Sequence, residues 1–211
     1  DADSSYNTFP VSINQLNPDF MSLAELLNKA GYKTARYGKW HIGQDNQGFD
    51  VNSANGEIGY ITNHGKSEKR FYSDTLVAEK LTTASIDFIK ENKKEPFFLY
   101  LAHWEVHGPN KARKDRILYF QNKKESLGFS EFNAVYAAEV EQLDMSVKRI
   151  YEVLKTENLL ENTLFIFASD NGGVPANTQN YPLREGKGTF YEGGIRTPCF
   201  MYWKGVIKKG R

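Results

Sequence analysis

Four short segments hold most of the side chains able to do chemistry. The first is Gly38-Lys39-Trp40-His41-Ile42-Gly43. A lysine there is a point charge for an anion, and a histidine can move a proton near neutral pH. Glycines on either side let the backbone turn tightly and approach a ligand. The plain alternative is a solvated lysine beside a hydrogen-bonded loop histidine. The second segment, Ala102-His103-Trp104-Glu105-Val106-His107-Gly108-Pro109, offers two histidines as ligands or general acids. Their spacing resembles a helical zinc pair, but Pro109 and the apolar run just before argue against a helix. One of the two reads as a structural histidine. The third, Ser169-Asp170-Asn171-Gly172-Gly173, places a carboxylate beside an amide, hard oxygen donors that suit calcium or magnesium. The same residues make ordinary turns. The fourth sets Lys187 between Gly186 and Gly188, again a cation on flexible backbone, without the spacing of a nucleotide phosphate loop. Alone it is a glycine-rich surface loop.

The surrounding pattern supplies elements to hold these segments. Ser22-Leu23-Ala24-Glu25 reads as a capping box, with Leu23, Leu26, Leu27 and Ala30 on one face and Gly31 as the stop. Lys33 to Tyr37 predicts a short strand ahead of the Lys39 loop. A helix is expected from Ser73 or Asp74 to about Lys90, followed by a buried strand over Phe97–Ala102. Residues 103–130, polar and basic, read as a long surface excursion. Ser130 is the expected cap of a helix reaching about Leu154, with Phe132, Val135, Val140, Leu143, Val147, Ile150 and Leu154 as its apolar stripe. Thr163–Ala168 and Cys199–Trp203 complete the strands, with Cys199 as a small core residue. Alternating helices and apolar strands predict a layered α/β fold, its central sheet largely parallel with helices on both faces. Ligands of such sheets bind beyond the carboxyl ends of strands, where the Lys39, histidine and Asp170 segments fall.

Composition excludes little but is consistent with this. The 27 basic and 26 acidic residues leave a formal net charge of +1, which gives no reason to expect nucleic acid as a partner. No apolar run reaches the ~20 residues of a membrane span. The lone Cys199 rules out an internal disulfide and a cysteine-based zinc site.

Taken in order, the segments resemble the type I sulfatases of the alkaline-phosphatase-like superfamily. Leu23–Leu27, Gly31-Tyr32-Lys33-Thr34 and Gly38–Gly43 are similar to that family's second signature region, with Gly48-Phe49-Asp50 close behind. Pro96–Leu101 leads to a histidine-proline turn. Tyr136–Asp144 and Asn162–Gly173 match the metal-bearing strand and the helix before it, and Lys187–Pro198 the closing lysine segment. The resemblance spans residues 20 to 210. It implies removal of sulfate from a sulfated carbohydrate or aryl ester, with Asp170 and Asn171 as two ligands of calcium, or of magnesium. Lys39 and Lys187 would bind the sulfate oxygens, with His107 protonating the departing alcohol. His41 would take a proton from the nucleophile so that sulfate is expelled. His107 is preferred over His103 because Gly108-Pro109 follows it, although Val106 stands where the family has proline. Relatives are secreted or periplasmic, which sets the expected location.

One departure is decisive. The family's nucleophile is a formylglycine made from the first residue of C/S-x-P-x-R. The residues two before the seven prolines are Thr8, Leu16, Lys94, His107, Gly173, Asn180 and Arg196, none of them Cys or Ser. The family's paired metal-binding aspartates are not matched by Asp1 and Asp3 either. Residues 1–211 are therefore expected to form the central part of a sulfatase catalytic domain, inactive alone, with the nucleophile-bearing segment upstream and a smaller subdomain downstream. The alternatives are a phosphate or phosphonate ester hydrolase of the same superfamily, or a non-catalytic protein that binds sulfated ligands. Substrate identity and oligomeric state are not readable from the residues.

Overall fold

A computed structural model describes residues 16–17, 19–40, 47–52, 75–128 and 132–210. Its first layer is a parallel sheet. Lys33–Gly38 (β1) lies between Val51–Asn52 (β2) and Phe97–Ala102 (β3), and β1 pairs with β3 residue for residue from Lys33↔Phe97 to Gly38↔Ala102. Helix Leu23–Lys29 (α1) precedes β1 and starts on the expected capping box. Ser22 Oγ accepts the Glu25 N–H at 3.1 Å, and Glu25 Oε2 accepts the Ser22 N–H at 2.7 Å. Gly31, at φ +86°, turns the chain out of that helix. The buried residue of α1 is Ala24, whereas Leu23 and Leu26 are more than half exposed, so the apolar face expected from spacing is not the packed one.

Both faces of β1 are covered. Alternation sends Ala35 and Tyr37 to one side, where they meet Val77, Leu81 and Phe88 of the helix Val77–Asn92 (α2). Thr34 and Arg36 point the other way. There Thr34 Oγ1 bonds Asn28 of α1 and accepts the Asp50 N–H at 3.0 Å, while Phe49 stacks on Phe98 and Tyr100 at 5.8 and 6.4 Å. A second apolar cluster joins Ile89 of α2 to Ile150, Val153 and Leu154 of the long helix Ala134–Thr156 (α4), with Phe97, Leu99 and Leu101 packed against it. The fold class is thus α/β with a parallel sheet and flanking helices, as expected.

Local details differ from the sequence reading. Asn133 caps α4, its side-chain oxygen accepting the Val135 and Tyr136 N–H groups at 3.0 and 3.2 Å. The expected cap, Ser130, lies outside the described residues, as do Ser73 and Asp74. Val140 is 45% exposed instead of joining the buried stripe. The basic stretch after β3 is not an irregular excursion: Lys114–Leu127 forms a helix (α3), stopped by Gly128 at φ +67°. No residue of α3 is buried, and a two-pronged Arg116–Glu141 ion pair fastens it to α4. Strong helix formers, that ion pair and a left-handed C-cap support the helix without a buried face.

The last strands, Phe165–Ala168 (β4) and Cys199–Tyr202 (β5), form an antiparallel pair separate from the parallel sheet. Phe167 and Phe200 stack at 4.9 Å. Every residue of β5 is exposed, so Cys199 is not the core residue expected, and with Ile166 53% exposed β4 is not the buried strand expected over Thr163–Ala168. Among the described residues only Phe165 of this pair reaches the apolar core, because no third strand covers the ribbon.

Candidate active site

The in-register pairing of β1 with β3 makes both strands end side by side, so the Lys39 loop and the histidine loop leave the sheet together. Gly38 sits at φ +97°, and a Cβ on it would lie 1.9 Å from the Ala102 carbonyl oxygen. Only glycine permits that approach. The Lys39 N–H then donates to the same oxygen at 2.8 Å. Its ammonium stands 5.5 Å from the centroid of the buried Trp104 ring.

The two histidines behave differently. His103 is drawn into the interior, its Nε2 2.9 Å from Ser146 Oγ on α4, and Ser146 in turn bonds Thr82 on α2. Its Nδ1 faces Glu105 Oε2 at 3.6 Å. This is the structural histidine. His107 instead exposes its ring, with Nδ1 2.7 Å from the Gly108 carbonyl and its backbone N–H donating to Trp104 O at 2.8 Å.

Asp170 and Asn171 follow β4, and the Lys187 loop is locked to them by backbone contacts. The Ser169 N–H donates to Pro198 O, the Gly172 N–H to Gly194 O at 2.9 Å, and the Lys187 N–H to Gly173 O at 3.1 Å. A Cβ would lie 1.7 Å from a carbonyl oxygen at Gly172 and 2.3 Å from one at Gly186. The glycines here are therefore spacers that let two loops meet backbone to backbone. The Asn180 side chain closes the interlock, bonding both the N–H and the carbonyl of Gly173 at 3.0 and 2.9 Å.

Electrostatics tie the two halves together. Partial burial holds the Lys39 ammonium below the usual lysine range, Asp170 pulls it back up, and Lys187 pushes it down again. Asp170 and Lys187, read from two other segments, thus both act on the Lys39 ammonium. Two cations against one carboxylate give a local excess of positive charge suited to a small oxyanion. Asp170 and Asn171 also fit part of a site for a hard cation. Asn171 donates its amide nitrogen to Gly172 O at 2.9 Å, which leaves its side-chain oxygen available beside the Asp170 carboxylate. Two oxygens are fewer than the ~6 or more that calcium takes, and among the described residues no cluster of three acidic, histidine or cysteine side chains could hold a metal. His41 lies outside the described residues.

Two features escaped the sequence reading. The glycine interlock was visible only as flexibility, although a run of glycines on either side of charged residues is also the signal for close backbone approach. Glu139 is the other. It falls between Val135 and Leu143 at helical spacing on the expected apolar stripe, and a lone acid there is the signal that could have marked it.

Similarity to known proteins agrees with this geometry. The Sulfatase family model matches residues 2–211. A sulfatase of Formosa agariphila is 31% identical over 92% of this chain and 46% of its own length. The human N-acetylgalactosamine-6-sulfatase is 32% identical over 90% of this chain and 40% of its own length. Among solved structures, Ps i-CgsB in complex with k-i-k-neocarrahexaose superposes with a TM-score of 0.74 at 28% identity, over 92% of this chain and 50% of that one. PsFucS1 sulfatase from Pseudoalteromonas sp. gives 0.65 at 28% identity, over 89% and 45%. The chain spans less than half the length of these curated relatives. Strand-end loops, glycine interlock and family match lead to one assignment: this chain belongs to the sulfatase family.

Proposed function

We propose that the full-length protein hydrolyses sulfate esters and that this chain supplies the sulfate-binding side of the active site. The observation that carries the reading is the convergence of Asp170 and Lys187 on the Lys39 ammonium, with the Lys187 N–H bonded to Gly173 O just beyond Asp170. Lys39 and Lys187 bind the sulfate oxygens and offset the negative charge that grows as sulfur is attacked. Partial burial strengthens both interactions, since charge stabilisation is worth more where water is thinned out. His107, exposed at the same sheet edge, protonates the departing alcohol oxygen, and His41 accepts a proton from the nucleophile.

Asp170 and Asn171 would hold calcium, with magnesium as the alternative, and the ion would supply further positive charge beside the ester. A formylglycine outside these 211 residues would supply the attacking oxygen. A sulfated carbohydrate is the favoured substrate class. Its support is that one relative is an N-acetylgalactosamine-6-sulfatase and that the structural neighbour Ps i-CgsB holds k-i-k-neocarrahexaose. A secreted or periplasmic location goes with that reading, and no helix among the described residues is long and apolar enough to cross a membrane.

The test is made on the full-length protein with aryl sulfate and aryl phosphate esters. Preference for sulfate, with turnover falling by about 100-fold or more in Lys187→Ala, is expected, on the scale of losing one preorganised charge contact. Preference for phosphate would move the protein to the phosphohydrolase branch. Near-normal sulfate turnover in Lys187→Ala would reduce Lys187 to a loop charge.

A further inference from the structure

Outside the strand-end loops, one buried carboxylate is aimed at the turn that carries His107. Glu139 lies in the early turns of α4 and is 4% exposed. One of its oxygens accepts the Lys111 backbone N–H at 2.6 Å, and the other accepts the side-chain amide of Asn110. Asn110 also reaches across the turn to the Val106 carbonyl at 3.3 Å. A single side chain therefore gathers both limbs of the turn from Val106 to Lys111 and fastens them to α4. The other anchor is Glu105, whose carboxylate accepts the Ala78 N–H at 3.1 Å on α2. His107 sits between these two anchors with its ring exposed.

Burying a carboxylate is costly unless hydrogen bonds compensate. Burial pushes the Glu139 carboxyl up to about 7, with the Glu105 charge adding to the rise, while the Lys111 and Asn110 bonds pull it down. A hydrophobic residue would fill this position on the apolar stripe without that penalty. The acid makes sense where the turn needs fixing.

We propose that Glu139 is a positioning residue for His107, clamping the Val106–Lys111 turn to α4 and so setting where the His107 ring stands relative to the lysine loops. This rests on the reading of His107 as the acid that protonates the leaving group. The clamp is tightest with Glu139 ionised, when both oxygens are pure acceptors. The groups facing it are the Lys111 N–H and Asn110 on the turn, Glu105 after β3, and Tyr136 on α4 itself, whose hydroxyl proton is held more tightly by burial, with the Glu139 charge adding to it.

The experiment compares the full-length protein with Glu139→Gln, which keeps the volume and one acceptor, and Glu139→Ala. Hydrogen exchange reads the Lys111 amide, and NMR reads the chemical shifts of the His107 ring. Both measurements are independent of turnover. The clamp predicts that Lys111 protection, corrected for intrinsic exchange, rises as pH passes through about 7 in the parent protein. In Glu139→Gln it should be flat with pH, and in Glu139→Ala at least roughly tenfold lower, with displaced His107 ring resonances in both. Unchanged Lys111 protection and His107 ring resonances in both variants would overturn the proposal.

Turnover separates this from the functional reading. A misplaced acid should slow an alkyl sulfate, whose leaving group needs a proton, by roughly tenfold more than a nitrophenyl sulfate. If His107→Ala spares the alkyl ester, the acid role falls, while the exchange and NMR data still decide the clamp.

Discussion

Two regions build the candidate site, and different forces hold them. The β1–β3 side is positioned by burial. Thr34, Ala35 and Arg36 are fully buried, and Leu81 packs with no exposed surface against the same sheet. The β4–β5 side has almost no apolar cover, yet it presents Asp170 and Lys187 in a defined place. There the position comes from backbone bonds across Gly172, Gly173, Gly186 and Gly194. A core fixes Lys39, and a glycine interlock fixes Lys187. The first should fail cooperatively with the fold, and the second locally.

The largest test of that contrast is Leu81→Ala, which opens a cavity in the sheet–helix core. It should cost ~2–5 kcal/mol in urea unfolding and loosen the Lys39 loop with the rest of the core. If the cost were nearly zero, burial would not be what fixes this side. Gly172→Ala strikes the other half, since the new methyl would meet the Gly193 carbonyl. About 1–3 kcal/mol is expected from the forced shift. Amide exchange should quicken around Lys187 and Gly194 while α2 keeps its protection. Equal loosening of α2 would show that the two regions are one cooperative unit.

Arg36 sharpens the comparison in the opposite direction. It is fully buried, its guanidinium lies 4.1 Å from the Trp40 ring centroid, and two of its nitrogens meet no hydrogen-bond acceptor. Burial pulls its pKa down to about 10, the Tyr100 field opposing this. Arg36→Met should therefore raise the unfolding midpoint, by on the order of 1 kcal/mol. A drop would mean that the stacking on Trp40 outweighs the lost hydration. The smallest effect is expected from Ser22→Ala, which removes one half of a capping box at the rim of the core. About 0.5–1 kcal/mol should be lost, with the Lys187 loop untouched.

pH adds a test that cuts across both regions. The Glu139 carboxyl is raised to about 7 in the folded protein, so folding binds a proton more tightly than the unfolded chain does. Its contribution is fully present below the ordinary glutamate range and is lost as pH rises toward about 7. Glu139→Gln should remove that decline from the stability profile measured between about pH 4 and 8. Persistence of the same slope would assign it to other groups.

Much of this was legible in the residues. The capping box at Ser22, the Gly31 stop and the Phe97–Ala102 strand are local patterns, and the structure repeats them. What was misread depends on neighbours. Val140 lies at the right helical spacing yet is exposed, and Leu23 and Leu26 of α1 are exposed while Ala24 is buried. Periodicity says which residues share a face, but only packing says which face is covered. The α3 helix was missed for the converse reason. It has no buried face to announce it, and its support is the Arg116–Glu141 pair and the Gly128 cap.

The sequence by itself determined the kinds of group present: two lysines beside glycines, an acid–amide pair, two histidines after an apolar strand, and no formylglycine precursor among its prolines. It could not say which of them meet. In-register pairing of β1 and β3 brings Lys39 beside the histidine turn, and carbonyls touching Gly172 and Gly186 bring Lys187 to Asp170. Likewise only the tertiary structure draws His103 inward, its Nε2 2.9 Å from Ser146 of a distant helix, and leaves His107 exposed. Residue type is local, whereas burial and partnership belong to segments far apart along the chain, and only folding sets them.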